Sequence, residues 1–66
     1  MNDLDKLLFD AAVQLGCAAE SKRKEAATAE RDGRMGTARA KWERAAEMDR
    51  IAGELLAARS TERRAA

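Results

Sequence analysis

A single strong turn signal divides this chain. The triplet "RDG" at 31–33 sits near the middle of 66 residues that contain no proline. Either side is therefore free to be helical throughout, and Gly33 is placed to take the left-handed backbone that closes many helices. Ala, Arg, Glu, Lys and Leu dominate both sides, a composition that favours helix. The β-branched and aromatic runs of a sheet are absent. Two helices of similar length joined by a short turn make an all-α antiparallel helical hairpin. The sequence predicts helices over about 3–31 and 34–60 and one domain over 1–66.

Asn2 or Asp3 can cap the first helix, and Asp3, Asp5 and Asp10 suit its electropositive start. Leu4, Leu8, Ala12, Leu15, Ala19, Ala26 and Ala29 recur at steps of three, four or seven residues and form one face. Lys22 interrupts that stripe and can snorkel from it. Gly16 costs about 1 kcal/mol against Ala inside a helix, but continuity through it is expected. In the second helix the stripe is Met35, Ala38, Trp42, Ala45, Met48, Ala52 and Leu55 or Leu56, with Arg59, Arg63 and Arg64 near the electronegative end. Pairing outward from the turn sets Ala26 and Ala29 near Ala38 and Ala40, Ala19 near Met48, Leu15 near Ile51, and Leu8 near Leu55 to Ala58. Small residues thus pack the turn end and large ones gather at the open end. Trp42 is expected in the seam, facing the alanines of the first helix.

The core implied by these stripes is meagre, and small domains compensate with disulfides, a metal or association. The lone Cys17 cannot close an internal disulfide, and without His a conventional zinc site is not expected. Association is the remaining route. Phe9 and Val13 lie off the first stripe and Ile51 off the second, which suggests an exposed apolar patch of the kind that marks interfaces. The expectation is a homodimer completing a four-helix bundle.

No catalytic, cofactor-binding or metal site is expected. The commonest general base is missing, no Gly-rich loop follows a strand, and "GRMG" at 33–36 is explained as a turn. Cys17 on an Ala-rich helix is read as a packing residue. The 13 basic and 12 acidic residues leave a net charge of +1, too little for a strong field toward nucleic acid. The run Lys22, Arg23, Lys24 is flanked by Glu20 and Glu25, with Glu20 placed to pair with Lys24. The beginning "MNDLDKLLFDAAV" is acidic where a signal peptide is basic, and its apolar run is too short to span a bilayer. A cytoplasmic protein with no membrane partner is expected.

Gly33, Met35, Ala38, Trp42 and Ala45 resemble the second half of a tetratricopeptide repeat, although one half-repeat cannot form an array. Ala26, Ala27, Glu30, Arg31, Gly33, Ala38, Trp42 and Ala45, with "AARS" at 57–60, resemble the ANR family of short bacterial regulators over residues 26–60. The chain lacks the aromatic residue and Cys that often end that family's pattern. Small phage-encoded helical-hairpin inhibitors are similar in size and composition. These resemblances imply a non-enzymatic oligomer that binds and inhibits another protein, typically a transcription activator of the AraC type, without reading DNA itself. The residues expected to bind a partner or close the dimer are Phe9, Val13, Trp42, Met48, Ile51 and Leu55. The alternatives are a nucleic-acid-binding dimeric bundle, favoured by Arg34, Arg39, Lys41 and Arg44, and a structural phage or plasmid assembly factor.

Overall fold

A computed structural model describes the backbone of residues 3–65 and the side chains of residues 3–59. It is a hairpin of two helices, α1 (Asp3–Arg31) and α2 (Met35–Ala65), in a Cα envelope of 51 × 13 × 9 Å. Asn2, offered as a possible cap, lies outside the described residues, as do the side chains of Arg63 and Arg64. Helix α1 runs unbroken through Gly16. Helix α2 ends five residues later than about 60, because "TERRA" at 61–65 holds neither proline nor glycine to stop it.

The turn is built on Gly33, whose φ is +78°. The Gly33 amide donates to the Glu30 carbonyl at 3.0 Å, and the Arg34 amide to the Ala29 carbonyl at 2.8 Å. These two bonds are the paired closure of a Schellman motif, and they satisfy carbonyls that the helix end would leave open. The Ala38 amide then donates to the Arg34 carbonyl at 3.0 Å. Arg34 is thus the first residue of the new helix's bonding ladder and Met35 its first helical residue.

Between the helices the seam follows an unbroken seven-residue repeat. In α1 its line is Asp5, Ala12, Ala19 and Ala26, all buried; in α2 it is Ala38 and Ala45, buried, then Ala52 and Arg59, partly buried. Writing the repeat abcdefg with these residues at a, the seam is flanked on one side by position d and on the other by position e. A strict seven-residue repeat on helices of 3.6 residues per turn winds the pair into a left-handed coil. Alanine at nearly every a position lets the axes approach toward the lower end of the ~8–10 Å range.

Six alanines are the whole buried apolar set among the described residues: Ala12, Ala19, Ala26, Ala29, Ala38 and Ala45. Their methyls contribute on the order of 5 kcal/mol, about what two or three fully buried leucines would give. Leu4 and Met35, members of the sequence stripes, and Ala40, expected opposite Ala26 and Ala29, fall outside the seam. Leu4 is 48% exposed and Met35 61%, and Ala40 is exposed as well. Leu4 and Ala40 sit at positions g and c, and Met35 at an e position beside the turn, where the first helix has already ended.

Candidate protein-binding surfaces

The hairpin presents two broad flanks. On the e flank of α1 lie Phe9, Gly16, Arg23 and Glu30, seven residues apart, with Val13 beside them at position b. The matching flank of α2 carries Met35, Trp42, Asp49 and Leu56. Two contacts fix the pairing of these rows: Arg23 Nη1 donates to Asp49 Oδ2 at 2.7 Å, and Trp42 Nε1 donates to Glu30 Oε1 at 2.5 Å. Arg23 also donates to Glu20 on its own helix at 2.9 Å. Its pKa is raised first by the Glu20 hydrogen bond, and then by Asp49. The Glu20–Lys24 pair expected from spacing gives way to this Arg23 bridge, since position e faces the other helix and Lys24 at position f faces away.

Trp42 therefore stands beside the seam rather than in it. It is 40% exposed and walls a shallow cleft of about 580 Å³ with Met35, Arg39, Glu30 and Glu43. The residue one place earlier, Lys41, occupies position d and takes the inner place instead. Its ammonium donates to Glu25 Oε1 at 2.7 Å. That hydrogen bond is the first cause of a lowered Glu25 pKa, followed by the nearby charge of Lys22.

On the opposite flank, at positions d and g, Leu8, Leu15, Met48, Ile51 and Leu55 are all partly buried. Here the expected patch is corrected. Phe9 and Val13 are exposed, at 42% and 48%, but Ile51 lies about 200° around α2 from Asp49, the residue that Arg23 binds from the Phe9 row. Phe9 and Val13 thus share one flank with Trp42, while Ile51 shares the other with Met48 and Leu55. The half of this second flank nearest the turn is charged, with Lys22, Glu25, Lys41 and Arg44.

At the open end, sequence reasoning missed a polar insertion in the seam. Asp5 is buried and accepts a hydrogen bond from Arg59 Nε at 2.8 Å, with Arg59 itself 17% exposed. The Arg59 guanidinium also lies 4.9 Å from the centre of the Phe9 ring, within cation–π range. The signal was available. Asp5 precedes Ala12 by seven residues, Arg59 follows Ala52 by seven, and the antiparallel register that pairs Ala26 with Ala38 also pairs 5 with 59.

Among the described residues no group of three His, Cys, Asp or Glu side chains is placed to hold a metal, and no helix is long and apolar enough to cross a membrane. Cys17 is exposed, at position f, not packed as the sequence suggested. A second shallow cleft of about 330 Å³ is lined by Lys24, Arg34 and Lys41 with Glu25 and Thr28. Its Lys41 is already engaged by Glu25, which weakens it as a seat for phosphate.

The fold and its surfaces define a class, the alanine-seamed two-helix antiparallel coil with unfilled apolar flanks. Beyond that class, no family model, curated protein or solved structure matches the chain.

Proposed function

We propose that the chain is a small non-enzymatic regulator that binds and inhibits another protein, a bacterial transcription activator, and does so as a homodimer. The observation that carries this reading is the row of apolar side chains at the open end of the second flank. Leu8, Leu15, Ile51 and Leu55 remain partly exposed there, beside Leu4 at 48% exposure. A row of that kind accommodates the apolar face of a partner's helix, with the charges nearer the turn setting its orientation. The resemblance of residues 26–60 to the ANR regulators supplies the class of target.

Capture of an AraC-type activator by the tagged chain, together with repression of a reporter that the activator drives, tests the proposal. Ile51→Glu is expected to weaken both by at least about tenfold, the cost of placing an unpaired charge in an apolar contact. Retention of nucleic acid alone, released by salt, points instead to the nucleic-acid alternative. An Ile51→Glu chain that still represses overturns the assignment of the flank.

A further inference from the structure

The flank bearing Trp42 has a pattern that the hairpin itself does not explain. Large side chains stand exposed at both of its ends: Met35 at 61% and Trp42 at 40% near the turn, and Phe9 at 42%, Val13 at 48% and Leu56 at 42% near the open end. Between them is the Glu20–Arg23–Asp49 bridge. The same flank carries two glycines inside helices, Gly16 at position e of α1 and Gly53 at position b of α2. Each makes its helix less stable than Ala would. Neither is required by the hairpin, since a Cβ built at either would meet nothing within 4 Å. A glycine that the molecule's own packing does not need, on an apolar face, suits the close approach of another chain.

We propose that this flank is where a second copy of the chain docks, antiparallel to the first, with each Trp42 indole seated over Gly53 and Val13 of the other copy. The inference rests on the homodimer proposed above and names its face. Three observations select a second copy as the occupant. First, the face is apolar at both ends, so a two-fold axis through its middle lays each turn-end patch on an open-end patch. Second, the heights agree: Trp42 and Gly53 lie nine and 20 residues beyond Gly33, and their mean falls at the midpoint of the 29-residue α1. The axis therefore exchanges these two levels. Third, a face of 51 by 13 Å offers at most roughly 650 Å² per copy, or roughly 1,300 Å² in all, which reaches the lower end of the ~1,200–2,000 Å² of stable interfaces.

The Ile51 flank does not meet these conditions. Its apolar half would fall on the Lys22, Glu25 and Lys41 half of a two-fold mate. It is left open for a different partner.

Sedimentation equilibrium of the full chain, from micromolar to millimolar, with helicity followed by circular dichroism, tests the face. The wild type is expected to be a dimer whose Trp emission shifts to the red on dilution, as the indole meets water. Gly53→Leu and Trp42→Ala are each expected to weaken association by at least about tenfold while remaining helical. For Gly53→Leu this is the opposite of what an unpartnered helix would show, since Leu is much the better helix former. A wild type that stays monomeric overturns the dimer together with its face, and leaves activator capture to be judged separately. A dimer unmoved by both substitutions but split by Ile51→Glu overturns the face and keeps the dimer. Should either variant unfold, a wild-type Trp emission that stays unchanged while sedimentation shows the dimer dissociating also overturns the proposal.

Discussion

The two halves of the hairpin are held by different physics. Near the turn the seam is closed and uniform: Ala19, Ala26, Ala29, Ala38 and Ala45 are at most 2% exposed, and Lys41–Glu25 and Arg23–Asp49 tie the helices across its edges. Near the open end the same seven-residue line passes through Ala12 and finishes on a charge pair, Asp5–Arg59. Close contact needs small residues and tolerates nothing larger. The ion pair needs both its members, since a buried charge that loses its partner is costly while the replacement of both by apolar groups is often neutral. One seam can therefore be sensitive to added volume at one end and to lost charge at the other.

The largest effect expected from breaking this contrast is at the open end. Asp5→Ala is expected to lower stability by about 3 kcal/mol, because Arg59 loses the carboxylate it faces. Adding Arg59→Ala should return most of that loss by continuing the alanine line, which urea unfolding of the single and double variants will measure. Next comes Ala26→Leu, expected to cost about 2 kcal/mol through overpacking at a fully enclosed position. The same exchange at Ala12, which is 5% exposed, should cost less. Gly33→Ala is third, at about 1 kcal/mol for forcing a Cβ into a left-handed backbone, read as a lower thermal midpoint. The smallest effect is acid dependence at the Glu25–Lys41 bridge. Because the folded pKa of Glu25 is depressed, its contribution is present above the ordinary glutamate value of about 4.3. It is lost as pH falls through the lower folded value. Urea midpoints of wild type and Glu25→Gln should therefore converge as the solution is acidified below that window.

Much of the fold was legible because helix formation here is decided locally. The absence of proline, the placement of Gly33 and the spacing of the alanines carry the hairpin, the helix limits near the turn and the unbroken passage through Gly16. What a stripe of three- and four-residue steps cannot distinguish is the centre of a seam from its edge. Ala38, Trp42 and Ala45 all belong to one apolar stripe, but the alanines are at position a and Trp42 at position e, about 50° around the helix. Its indole therefore bonds to Glu30 beside the seam. The same blur joined Ile51 to Phe9 and Val13 when the coil sets them on opposite flanks. Asp5 and Arg59 were hidden for another reason. Each fits its helix terminus as a dipole-compensating charge, and only the register across the hairpin reveals that they meet.

The turn at Gly33 also fixes the order in which contacts become affordable in entropy. Ala29 and Ala38 are separated by nine residues along the chain and Asp5 and Arg59 by 54, so the loop that must be closed lengthens steadily from one end of the molecule to the other. The hairpin is thus built to close from the turn outward like a zip and to open in reverse. Amide exchange should be slowest around Ala26 and Ala38 and quicken toward Asp5, so the apolar rows nearest the open end belong to the part of the molecule that most readily parts and re-forms.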